Sequence, residues 1–166
     1  MGDQLRAVLE GTADRVARPA GQREVSFASI RTDAFLPHPP EKVWRALTDR
    51  ELLGAWLMPN DFQARVGHRF TFHTDAVPAQ GFDGQVHCEV LILEPPQRLR
   101  ISWRAGKIDT TVTWQLVPEG SGTRLFLTHD GFDPSDPEQE ATRRLLGGGW
   151  QGHLARRLEQ TLVGLG

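Results

Sequence analysis

Five apolar residues, Leu146, Trp150, Leu154, Leu158 and Leu162, recur every four positions at the end of the chain. That spacing lays an apolar stripe along one face of a helix, and such a stripe has to be buried against another element. The start of the helix is marked locally. Asp136 is a good N-cap, Pro137 suits the first helical position, and Gln139 stands where a capping box takes Glu or Gln. Gly147-Gly148-Gly149 interrupts the stripe at about 1 kcal/mol per glycine relative to alanine. It marks either a break before the main helix or a hinge at the mouth of a pocket.

The surface that covers the stripe lies upstream, in segments of period two. Leu99, Ile101 and Trp103 face one way while Arg98, Arg100, Ser102 and Arg104 face the other, as a strand with one wet face requires. Thr110 to Val117 repeats the pattern with Val112, Trp114 and Leu116 opposed by Thr111, Thr113 and Gln115. Thr123 to His129 places Leu125, Leu127 and His129 together. Further strands are expected at Val25 to Phe35, at Phe62 to Val66 and His68 to Thr74 as a hairpin about Gly67, and at Gln85 to Leu93. Pro37, Pro39 and Pro40 end the first strand. They open a short helix through Val43 and Leu47, and Thr48 with Glu51 forms a capping box for a second through Leu52, Leu53 and Trp56.

Composition bounds the function. The 166 residues suit one domain, 23–166, preceded by an extension, 1–22, in which Leu5, Val8 and Leu9 line one face of a short helix. A net charge of −2, with Lys42 and Lys107 the only lysines, argues against nucleic acid as a partner. The sole cysteine, Cys88, forms no internal disulfide and suits a reducing compartment, where it reads as a small residue in an apolar strand. The first residues interleave charges, and nothing approaches the roughly 18 apolar residues of a membrane span. The chain is therefore expected in the cytoplasm.

Four segments carry a family resemblance: VWRALTDRELLGAWLMP (Val43 to Pro59), EVLILEPPQRLRISW (Glu89 to Trp103), SGTRLFLTHDGF (Ser121 to Phe132) and GGWQGHLARRLEQTL (Gly148 to Leu162). In content and order they are similar to the family of activators of heat-shock protein 90 ATPase homologues. The order of elements resembles the helix-grip fold of the START-like, birch-pollen-allergen (SRPBCC) superfamily. The resemblance implies an α+β fold: a curved seven-stranded antiparallel sheet around a long C-terminal helix, with two short helices after the first strand and a cavity between sheet and helix. Relatives bind lipids, hormones and aromatic polyketides, and some are cyclases or dehydratases.

Catalytic and metal signatures are weak. The sequence has no G-x-S-x-G elbow, no phosphate-binding glycine motif, no H-E-x-x-H and no cysteine pair. His68 and His73 are five apart and point to opposite faces of a strand, and Asp130, Asp133 and Asp136 miss the EF-hand spacing. No metal and no cofactor is expected. The acid–base candidate is His129, beside Asp130 near a strand end. His153, between Trp150 and Leu154, is a second histidine directed at the interior.

The apolar inventory says more. Phe70, Phe72, Leu99, Ile101, Trp103, Val112, Trp114 and Leu127 supply a sheet face, and Trp150 and Leu154 supply the helix. Such a set either packs a dry core or lines a cavity for a flat ligand. Tyrosine is absent, so no phenolic acid operates here. The expected function is binding or carriage of a small hydrophobic, aromatic or lipid-like molecule, with His129, Arg104 and His153 at the mouth. A cyclase or dehydratase is the second reading. An interaction module that meets a protein partner through residues 1–22 is the third.

Overall fold

The computed structural model describes residues 27–165. Its strands are β1 (Ala28–Leu36), β2 (Arg69–His73), β3 (Gln85–Glu94), β4 (Arg98–Ala105), β5 (Ile108–Glu119) and β6 (Gly122–Phe132). They form one antiparallel sheet in the order β1-β6-β5-β4-β3-β2. Helices α1 (Pro40–Thr48) and α2 (Arg50–Trp56) follow β1. The chain ends in a continuous helical run: α3 (Pro137–Gly152), a π-helical stretch (His153–Leu158) and α4 (Glu159–Gly164). The architecture is α+β, with the sheet's apolar face closed on that run.

The alternation read from sequence is the burial pattern of the central strands. Leu99, Ile101, Trp103, Val112, Trp114, Leu116, Leu125 and Leu127 are all buried. From the other side come Trp150, Leu154, Leu158 and Leu162, also buried. Helices α1 and α2 pack on the far end of the run, α4 and the π-helical stretch. There His38 Nε2 lies 2.9 Å from Glu159 Oε1, and Lys42 Nζ 3.1 Å from His38 Nδ1.

Two expectations need correction. Six strands stand among the described residues, not seven, because 62–66 forms no strand. There the Asn60 side-chain oxygen takes the Phe62 N–H, and the Arg65 N–H turns back onto Gln63 O. Phe62 is buried while Val66 is 60% exposed, so the apparent alternation has no common face. The cap of α2 is Asp49 rather than Thr48: Asp49 Oδ1 accepts from the N–H groups of Glu51 and Leu52, while the Thr48 hydroxyl donates to Trp44 O. The expected helix in residues 1–22 lies outside the described residues.

Gly147-Gly148-Gly149 does not break the helix. α3 runs through it from its Asp136 cap, which accepts from the Glu138 N–H. The departure comes one turn later, where the ladder widens to i→i+5 between His153 and Leu158. Such widened turns inside α-helices often accompany functional sites.

Candidate functional site

A groove of about 450 Å³ runs along the seam between β1 and α3. Ser29, Ile30, Arg31 and Thr32 line one side of it, and Arg143, Arg144, Gly147, Gly148 and Gln151 line the other. The glycines make this space. A Cβ on Gly147 would sit 3.9 Å from Ile30 Cγ2, an ordinary contact, and one on Gly148 would meet nothing within 4 Å. Arg143 ties the two sides together: its Nη2 donates to Glu140 at 2.6 Å and its Nη1 reaches Ser29 O at 3.5 Å. Arg144 Nε also donates to Glu140, at 3.1 Å. The Arg143 guanidinium, with Arg144 adding to it, holds the Glu140 carboxyl below its ordinary range.

Ile30 leads inward. It is buried and lies opposite His129 in the β1–β6 register. His129 is 0% exposed, so it sits not at a mouth but in the interior. Trp150 Nε1 donates to His129 Nδ1 at 3.0 Å, which leaves the neutral ring's proton on Nε2. Nε2 lies 2.7 Å from Thr110 Oγ1, and the Thr110 hydroxyl donates to Trp103 O at 3.0 Å. A chain of donors therefore runs from Trp150 through His129 and Thr110 to the Trp103 carbonyl. Burial pushes the His129 pKa down to about 3. At neutral pH the ring is uncharged and both its nitrogens are used, so base chemistry through it would first require Trp150 to let go.

Around this chain the aromatic rings meet one another. Trp103 lies 5.3 Å from His129 and 5.4 Å from Trp150, and Trp114 lies 5.9 Å from Trp150. Phe72 lies 5.6 Å from Trp103 and 5.3 Å from Phe70. The structure thus brings together Phe70, Phe72, Trp103, Trp114, His129 and Trp150, with Leu99, Ile101, Val112, Leu127 and Leu154 in the same core cluster. His153 is not part of the donor chain. It is half-buried, with Nδ1 2.7 Å from Gly149 O and Nε2 3.4 Å from Arg157 Nη1. Arg104 and Asp109 form an exposed pair at 3.3 Å, away from the groove. Cys88 is buried on β3, where burial pushes its thiol pKa well up.

Sequence reasoning missed Thr110, Ile30 and Arg143. A signal existed for the first: Thr110 extends the inward series Val112, Trp114 by one step of strand alternation. Ile30 and Arg143 carry none, because their roles arise only where β1 and α3 meet. Among the described residues no three His, Cys, Asp or Glu side chains are grouped to hold a metal ion. No described helix is long and apolar enough to cross a membrane.

The family described as Activator of Hsp90 ATPase homolog 1-like protein matches residues 37–163. No curated protein matches the sequence. Among solved structures the chain is similar to protein MLL2253 from Mesorhizobium loti, at 35% identity over 81% of this chain and 96% of that one, with a TM-score of 0.71. It is similar to BH1534 from Bacillus halodurans at 27% identity, 81% and 96% coverage and a TM-score of 0.69. CalU16 from Micromonospora echinospora is 30% identical, with 81% and 75% coverage and a TM-score of 0.64.

Proposed function

The chain belongs to the Activator of Hsp90 ATPase homolog 1-like family, and from that premise we propose that it binds a small, flat hydrophobic molecule between sheet and C-terminal helix. The observation that carries this reading is the order of parts along the seam. A groove with a glycine wall lies outside, Ile30 and Gly147 form its floor, and a tier of Trp103, Trp114, His129 and Trp150 stands behind. Trp150 is the movable member. It rides on a helix with three glycines just before it and a π-helical stretch just after, and one side-chain hydrogen bond, to His129, holds its indole. When it swings aside, a flat ring takes its place among Trp103, Trp114, Leu127 and Leu154.

Affinity comes mainly from apolar burial, at about 25 cal/mol per Å² before ordering costs are subtracted. Phe70, Phe72, Leu99, Ile101 and Val112 back the site, and His129 and His153 flank the helix turn that moves. Arg143, held by Glu140 on its own helix, is the gatepost, because opening stretches its long contact across the seam to Ser29 O.

Tryptophan fluorescence and thermal shift with fluorene as probe test the proposal. Wild type and Gly147→Ala are expected to bind, with saturable quenching and a raised melting temperature. Gly147→Leu, whose Cβ makes an ordinary contact with Ile30, adds an isobutyl group to the groove lining, and its circular dichroism is matched to wild type before binding is read. At least a tenfold loss of fluorene affinity is expected there. Equal affinity in Gly147→Leu and wild type would sink this route of access, and no binding in any of the three would sink the function.

A further inference from the structure

Among the described residues, the buried side-chain nitrogen or oxygen without a hydrogen-bond partner is Trp114 Nε1. The indole is 1% exposed. Its surroundings explain why nothing answers it: Trp114 pairs with Leu99 on β4 and Leu127 on β6, and it faces the edge-to-face ring of Trp150 at 5.9 Å. Two other buried indoles in the same core are provided for. Trp56 Nε1 donates to Ala46 O at 2.9 Å, and Trp150 donates to His129. Burying an N–H with no acceptor gives up its bond to water without replacement, which is why such groups are rare in native interiors and call for a reason. A phenylalanine would fill a similar place on β5 without that cost.

We propose that Trp114 Nε1–H is the donor that selects the ligand, so that the chain takes flat aromatic molecules carrying a carbonyl-type oxygen in preference to bare hydrocarbons. The inference rests on the interior site described above and adds the chemistry that the site recognises. Three features converge on it. The unanswered donor lies in the aromatic tier behind the groove, and its ring touches Trp150, whose place the ligand takes. Three neighbouring polar groups are already committed: the Thr110 hydroxyl and the Trp103 carbonyl to each other, and His129 Nε2 to Thr110. His129 Nδ1, which Trp150 leaves when it moves, is an acceptor and cannot answer an oxygen. A ligand oxygen is therefore answered by Trp114 with no rearrangement of that part of the network. A pocket that carries a preplaced donor in an apolar wall discriminates against the analogue lacking the acceptor, because that analogue leaves the donor unanswered.

Fluorene and 9-fluorenone share ring system and outline and differ by one carbonyl oxygen, so they isolate this contact. Dissociation constants are measured by thermal shift and calorimetry for both probes on wild type and on Trp114→Phe, which removes the donor and keeps an aromatic ring. Wild type is expected to bind fluorenone about tenfold more tightly than fluorene, and Trp114→Phe to bind the two equally. Fluorene binding with no preference for fluorenone in wild type overturns the inference and leaves the ligand site standing, as does a preference that survives in Trp114→Phe. Failure of wild type to bind either probe overturns both. Should Trp114→Phe not fold, the indole N–H resonances of ¹⁵N-labelled wild type decide: that of Trp114 moves downfield with fluorenone and not with fluorene if the contact forms, and moves alike with both if it does not.

Discussion

His129 holds a hydrogen bond at each ring nitrogen and meets no solvent, and both conditions have measurable consequences. The first concerns pH. Burial lowers its pKa from the ordinary 6.5 to about 3, so in the unfolded chain the ring takes up a proton below pH 6.5 while the folded chain refuses it. Stability is therefore full above pH 6.5 and falls as the pH drops toward 3, at up to about 1.4 kcal/mol per pH unit. The carboxyls whose pKa is lowered, Glu119, Asp133 and Glu140, start from ordinary values of 4.5, 3.8 and 4.5 and act below that range. Between pH 6.5 and 4.5 urea unfolding is expected to show a loss of roughly 2 kcal/mol, and His129→Gln, which does not titrate, is expected to abolish that slope. The second consequence concerns Thr110. Thr110→Val leaves the His129 Nε2–H without its acceptor, at an expected cost of about 2 kcal/mol in the same measurement. Local pattern turns Thr110, His129 and Trp150 inward, but the bonds that link them are not legible from it, since Thr110 and Trp150 lie 19 and 21 residues from His129.

At the scale of elements, local chemistry was readable wherever one residue type decides the outcome alone. The Asp136 cap, the Pro137 start and the two-sided strands β4 and β5 are of that kind. Where two neighbours compete, the pattern misled. Thr48 and Asp49 both make good caps, and Thr-x-x-Glu fits the capping box, yet the carboxylate of Asp49 reaches two N–H groups and the Thr48 hydroxyl turns back to its own helix. Phe62, Ala64 and Val66 alternate like a strand, but the Asn60 and Gln63 oxygens capture the N–H groups a ladder would need. The triple glycine left two readings open, and the helix runs through it because Asp136 starts the helix and Trp150 and Leu154 anchor it beyond. Its energetic weakness remains. Gly148 and Gly149 are helical and exposed, and a methyl group added at either would meet nothing within 4 Å. Gly148→Ala and Gly149→Ala are each expected to stabilise the fold by about 0.5–1 kcal/mol in urea unfolding. If the helix bends there to admit a ligand, the double substitution also slows probe association in stopped-flow fluorescence, and an unchanged rate would show that the bend lies elsewhere.

For the whole molecule, the inward aromatic residues were legible because strand alternation and helical spacing each assign a face, whereas the seam was not, because it belongs to two elements more than a hundred residues apart in sequence. That distance also makes the seam testable as a unit. Ile30 Cγ2 lies 3.9 Å from the Cβ position of Gly147 and no other atom of Ile30 comes within 4 Å of it, so a cross-link between the two positions draws β1 and α3 slightly together. Ile30→Cys combined with Gly147→Cys is expected to cross-link on oxidation, while Cys88 stays reduced in the core, buried and with its thiol pKa raised. Closing so long a loop stabilises the fold by about 4–5 kcal/mol in the chain-entropy account. Melting alone, however, does not report on access. The decisive measurement is fluorene association in the oxidised and reduced forms of the same protein. If ligands reach the tier behind Ile30 by parting β1 from α3, association falls at least tenfold on oxidation and returns on adding dithiothreitol. If it is the same in both forms, molecules reach the interior by another path, and the groove has to be understood as a surface feature with no part in binding.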